Sequence, residues 1–125
     1  MLTEKNKTRR GHGFYPPRAV PVPRLGADDE NPVAWVHYFV GGADWYIVEL
    51  DRETGEAYGW AEVVAGCGEF GAIWLPELES VLVGRPLRQP VERDLGWEPT
   101  PMDKVLTERT SPRFPFSVST RRAHV

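Results

Sequence analysis

The sequence predicts an α+β domain: a four-stranded antiparallel meander, one short helix packed on one face of it, and irregular arms at both ends. Three observations predict this. Between Val33 and Trp74 the chain alternates β-branched and aromatic runs with Gly-containing turns. At Leu75 the apolar period changes from two to three or four. Before residue 33 and after residue 106 no such period is sustained, and prolines punctuate both ends. A length of 125 residues fits one domain, and 12 Gly with 12 Pro call for short elements and many turns.

Residues 1–32 contain PPRAVPVPR and ADDENP, which read as a Pro-rich basic arm, extended where proline forbids a helix. The domain proper spans 33–106, and 107–125 forms a basic tail. VAWVHYFV and DWYIVELD, separated by GGAD, read as a hairpin; alternation places Tyr46, Val48 and Leu50 on one face and Trp45, Ile47 and Glu49 on the other. RETGE is a turn, with Gly55 at a position that needs positive φ. AYGWAEVVAG makes the third strand, alternating small Ala57, Gly59 and Ala61 with large Tyr58, Trp60 and Val64, and EFGAIW makes the fourth. LPELESVL is the helix: Leu75, Leu78 and Leu82 share a face, Pro76 suits the first turn, and Gly84 with Pro86 suits the stop. No polar cap precedes Pro76, so this helix must depend on packing its leucines. PVERDLGWEP fits a loop or an edge strand, and PMDKVL a helical turn.

Charge is distributed unevenly. Lys5, Lys7, Arg9, Arg10, Arg18 and Arg24 against Glu4 give residues 1–26 about +5, and Lys104, Arg109, Arg113, Arg121 and Arg122 against Glu108 give residues 104–125 about +4. With a total of −3, the body between them carries about −12. Such a body repels a phosphate backbone, whereas basic ends can fold over it or reach a nucleic acid or an acidic partner. No apolar run approaches the ~18 residues of a membrane span and no apolar segment follows the basic start, which predicts a chain that is neither membrane-bound nor exported. The single Cys67 closes no internal disulfide and suits a reducing cytoplasm.

Chemistry-bearing motifs are sparse. Gly66 to Gly71 spells GxGxxG after a strand, but a strand rather than a helix follows and Glu69 places a negative charge in the cradle, so the segment reads as a hairpin turn and no cofactor is expected. His12, His37 and His124 are scattered, which predicts no metal site; His37 reads as a partly buried strand residue. Cys67 has no base or cation near it in sequence, and no catalytic residue is expected. Carboxylates beside strands, among them Asp44, Glu49, Asp51 and Glu62, fit the solvent face of an antiparallel sheet. Glu92-Arg93-Asp94 sets a guanidinium between two carboxylates, a clamp for the following loop or a bidentate donor for a partner. Trp45 and Trp60 belong to a set of sheet aromatics that either line an open face or are covered by the arm.

The run DWYIVELDRETGEAYGWAEVVAGCGEFGAIWLPELESV followed by PVERDLGWEP resembles the bacterial domain of unknown function 2958 family, small proteins of plasmids, integrative elements and phages. The resemblance covers Val33 to Leu106 and rests on Trp45, Tyr46, Glu49, Gly59, Glu69, Leu75, Glu77, Leu78, Glu79, Glu92, Arg93, Asp94 and Pro99. Trp74 stands where that family usually has a capping Ser, and the arm and tail look peculiar to this chain. The resemblance implies a mobile-element accessory protein and supplies no activity or cofactor.

The expectation drawn from all of this is a non-enzymatic module that binds a protein partner through an acidic, aromatic surface, with Trp45, Glu49, Trp60, Glu69, Glu92, Arg93 and Asp94 as candidate contacts. The alternatives are single-stranded nucleic-acid binding, with the basic tails on phosphates and Trp45 or Trp60 stacking bases, and a small hydrolase using carboxylates near Glu49 and Glu92. Oligomeric state is left open.

Overall fold

A computed structural model describes residues 2–110. The elements, in order, are α1 (Lys7–Arg10), β1 (Val33–Ala34), β2 (Val36–Val40), β3 (Ala43–Leu50), β4 (Glu56–Glu62), β5 (Glu69–Trp74), α2 (Leu75–Ser80), β6 (Leu82–Val83), β7 (Gln89–Pro90), β8 (Glu92–Arg93), β9 (Thr100–Pro101) and α3 (Met102–Thr110). The class is α+β as expected, but the main antiparallel sheet has five strands rather than four, in the order β5-β4-β3-β2-β8. The fifth is the ERD segment: Arg93 pairs Tyr38 and Glu92 pairs Phe39. Val33–Ala34 leaves the meander to pair β9, and β6 pairs β7 in a second two-stranded ribbon.

The single-helix expectation also needs correction, because both faces of the sheet are covered. On one face lie α2 and the N-terminal arm, whose Phe14 is fully buried with Tyr38, Ile47 and Leu75. Burying a Phe is worth about 1.5–3 kcal/mol, so the arm is part of the packed structure rather than a loose end. The Tyr38 hydroxyl donates to the Phe14 carbonyl at 2.8 Å and the two rings stack at 4.4 Å. On the other face lies α3, with Met102 and Val105 buried against Ala34, Tyr46 and Val48. This helix continues the helical turn expected at PMDKVL, and its start is tied to the arm by the Met102 amide donating to the Pro32 carbonyl at 2.9 Å. The expected tail 107–125 therefore begins inside α3; beyond residue 110 it lies outside the described residues.

Simple alternation fails once, in β3. Ile47 pairs Gly59 but Glu49 pairs Tyr58, so one extra residue bulges out between them. The bulge reverses parity, and Leu50 joins Ile47 on the arm face instead of Tyr46 and Val48 on the α3 face. Two other elements end earlier than their patterns suggest: α2 stops at Ser80, so Leu82 lies in β6 opposite Pro90 instead of on the helix face, and β4 stops at Glu62, short of Val64. Gly55 has φ +82°, and Leu75 and Leu78 of α2 are buried with Pro76 in its first turn and no side-chain cap at Trp74. The GxGxxG segment is a turn, with Gly66 at φ +82°, that leads into β5.

Candidate functional site

Chemistry converges on the α3 face of the sheet, at the end where α3 finishes. His37 of β2 lies opposite Tyr46 of β3, and the two rings stack with centroids 4.6 Å apart. Trp97 closes on both, 5.1 Å from the imidazole and 5.5 Å from the phenol. Asp44 is the second residue of β3, just past the Gly41-Gly42 reversal, and approaches His37 Nε2 at 2.7 Å. Asp94 follows β8; its amide donates to the His37 carbonyl at 2.8 Å, which brings its carboxylate to 2.9 Å from His37 Nδ1. A backbone ladder thus aims the side chain.

From Asp44 the network continues to α3. Arg109 donates from Nε to Glu62 at 2.9 Å and from Nη1 to the Tyr46 hydroxyl at 2.9 Å, with Asp44 Oδ2 at 3.2 Å. Glu62, the last residue of β4, also accepts from Trp60 Nε1 at 3.2 Å and from the Gly66 amide at 2.9 Å. The Arg109 hydrogen bond is the main cause holding the Glu62 carboxyl down, from its ordinary 4.5 to about 2, with the Gly66 amide and the Trp60 indole assisting against partial burial. The same hydrogen bond raises Arg109 above its ordinary value.

The sign of the resulting pH dependence follows. A carboxyl whose folded pKa is depressed stabilises the fold above its unfolded value and loses that contribution as pH falls through the folded one. Stability is expected to decline between pH 4.5 and about 2 on account of Glu62. Denaturant midpoints measured across that window are expected to show a shallower decline in Glu62→Gln. Parallel curves for the two proteins would remove Glu62 from this role.

Chemically, the network is closed. Both ring nitrogens of His37 are engaged, Nδ1 with Asp94 at 2.9 Å and Nε2 with Asp44 at 2.7 Å. What the arrangement does is fix α3 and the β8 loop against the sheet. Among the described residues no group of three or more His, Cys, Asp or Glu is placed to hold a metal ion. No helix among them is long and apolar enough to cross a membrane.

The seven residues singled out from sequence do not form one site. Trp45 packs with the arm-face core, whereas Trp60 packs with the α3-face cluster, so the two indoles lie on opposite sides of the sheet. Glu49 is buried and accepts from the amides of Gly26 and Asp28, each at 2.9 Å, which fixes the arm as it passes the end of β3. Glu92 meets His12 at 3.0 Å, and Arg93 donates to the Gly13 carbonyl at 3.3 Å, so both bind the arm. Asp94 alone of the ERD triplet joins the network on His37. Glu69 is exposed at the start of β5.

Sequence reasoning missed His37, Asp44, Glu62 and Arg109 as a group. Part of the signal was present: a hairpin closed at Gly41-Gly42 sets His37 opposite Tyr46 and Asp44 one diagonal step away. Arg109 gave no such signal, because its place depends on how α3 docks.

A second feature of the α3 face is what α3 leaves uncovered. Tyr58 and Phe70 stack at 5.9 Å, and with Trp74 they form a strip of exposed aromatics along β4 and β5. β5 is the last strand of the sheet, so among the described residues its outer backbone groups have no neighbouring strand. On the arm face a cavity of about 700 Å³ lies between Tyr15, Arg18, Leu50 and Arg52. The Arg52 guanidinium there is already bound to the carbonyls of Pro16 and Val20.

A family model described as a protein of unknown function, DUF2958, matches residues 21–107. The chain belongs to this family. The DUF2958 match takes in β1 through β9 and most of α3, with His37, Asp44, Glu62 and Asp94, while Arg10 and Arg109 fall outside it. It reaches into the arm as far as residue 21, further than the resemblance seen from Val33 onward. No curated protein and no solved structure matches this DUF2958 chain.

Proposed function

We propose that this DUF2958 protein is a non-enzymatic protein-interaction module, and that it engages its partner through the aromatic strip and free edge of β5. The observation that carries this reading is the exposure of Tyr58, Phe70 and Trp74 side by side along β4 and β5, where the outer edge of β5 has no neighbouring strand among the described residues. Aromatic side chains beside an open edge supply both halves of strand-addition binding, main-chain hydrogen bonds for affinity and apolar contacts for specificity. The closed His37 network supports the non-enzymatic part. A mobile-element setting is proposed on the family resemblance alone.

The nucleic-acid alternative draws less support, since Trp45 and Trp60 lie on opposite faces and Arg10 and Arg109 are held by carboxylates. The carboxylate hydrolase draws less still, with Glu49 and Glu92 engaged separately by the arm.

A photo-reactive residue placed at Phe70 in the full chain, expressed in its own host, tests the reading. A discrete protein crosslink from position 70 that is absent from position 87, in the exposed β6–β7 loop, is expected. Equal products from both positions, or none from 70, would sink it.

A further inference from the structure

We propose that the occupant of the β5 edge is a second copy of this chain, paired antiparallel about a two-fold axis at Ala72. This rests on the interaction-module reading and names its partner.

The register follows from the pleat. Residues directly opposite in an antiparallel pair share a face, so a self-paired strand must match residues of like parity. Phe70, Ala72 and Trp74 point to the α3 face, as their pairing with Trp60, Tyr58 and Glu56 requires, while Ile73 lies in the arm-face core with Ala57. Centring the axis on Ala72 sets Ala72 against Ala72, Phe70 against Trp74 of the second copy, and Gly71 against its Ile73. Every position is then compatible. The exposed Phe70 and Trp74 cover each other, an aromatic cross-strand pair made twice by symmetry. Gly71, the arm-face neighbour of Ile73 in the second copy, has open space where a Cβ would stand. No charge falls within the ladder, because Glu69 lies beyond Trp74. Moving the axis to Gly71 would instead set Phe70 against Ala72 and Glu69 against Ile73, leaving the aromatics unmatched.

Natural edge strands that stay single are usually guarded by lysine, proline, a bulge or a covering element. Among the described residues β5 has none of these: its sequence is EFGAIW, and it pairs β4 without a register shift. The contact amounts to one strand and three partly exposed aromatics per copy, which places it among small, concentration-dependent interfaces.

The test is a charge exchange on the axis, in the full chain. Ala72 is exposed, so substitution there leaves the core untouched. Sedimentation velocity over a concentration series is expected to show a monomer–dimer equilibrium for the natural chain. Ala72→Lys and Ala72→Glu, each folded by circular dichroism, are expected to weaken it about tenfold or more, since each sets like charges face to face. An equimolar mixture of the two is expected to restore the dimer. A natural chain that stays monomeric throughout, a dimer indifferent to both variants, or a mixture that stays monomeric would each overturn self-pairing. If self-pairing fails in any of these ways while position 70 still crosslinks to another protein, the interaction module stands with a different occupant. If both experiments fail, the module falls as well.

Discussion

Glu79→Ala is expected to destabilise the protein by about 3–5 kcal/mol, the cost of leaving a buried charge without its partner. Glu79 sits in the last turn of α2 with its side chain almost fully buried. Its carboxylate accepts from the Lys5 amide at 3.0 Å, the Asn6 amide at 2.8 Å and Arg10 Nη1 at 3.1 Å. Its own carbonyl accepts from the Asn6 side chain and Arg10 Nη2. Arg10 is equally buried, donates from Nε to the Val91 carbonyl at 2.7 Å, and lies over the Phe14 ring at 4.8 Å. Removing the carboxylate strands a guanidinium whose other carboxylate, on Glu4, is 3.6 Å away, and it frees two amides at the N-terminal side of α1.

Domains of this size have about 5–15 kcal/mol of total stability, so such a loss is expected to shift the urea midpoint strongly and to open the arm to proteolysis near Phe14. Replacing both partners, as Arg10→Met with Glu79→Leu, is expected to recover part of the loss: no charge is left to desolvate, while the Lys5 and Asn6 amides and the Val91 carbonyl still lose their partners. A Glu79→Ala midpoint within experimental error of the natural chain would mean that the arm is held by Phe14 and its neighbours alone.

Gly59→Ala is expected to cost about 3 kcal/mol or more, at the upper end of what overpacking does. A Cβ at Gly59 would collide with the Tyr46 carbonyl oxygen and stand 3.1 Å from Ile47 Cα. These are backbone atoms of the central strand, which is hydrogen-bonded on both sides and cannot withdraw. The pairing of β3 with β4 must therefore open beside the bulge at Ile47 and Glu49. Gly71→Ala, directly across on β5, supplies the control: its Cβ meets nothing within 4 Å, and the change is expected to be neutral or to stabilise by up to about 1 kcal/mol through the unfolded chain. Chemical denaturation of the two variants side by side decides the matter. Similar losses for both would mean that Gly59 is required for backbone freedom in general and not for close approach.

The sequence by itself determined the local elements, because each is decided within a few residues. Period two from Val36 to Trp74, a positive-φ glycine at Gly55, and Leu75 and Leu78 flanking Pro76 are enough to set four strands and a helix, whatever they pack against. Even the small residue at Gly59 was visible as part of an alternation, although the Tyr46 carbonyl that demands it was not. The family was legible for the same reason, as an ordered series of such local features.

Tertiary structure decided everything that joins distant segments. The fifth strand exists because Arg93 and Glu92 find the free edge of β2, and a two-residue strand has no period to read. The extra residue in β3 reversed the parity at Leu50, and nothing in VELD announces a bulge. Arg10 and Arg109 count alike in a charge sum, yet one locks the arm onto Glu79 and the other locks α3 onto Glu62. Their roles were fixed by which buried carboxylate each could reach, 69 and 47 residues away along the chain. Charge and composition carry no information about that distance, since docking depends on the three-dimensional match of whole faces rather than on neighbours in sequence.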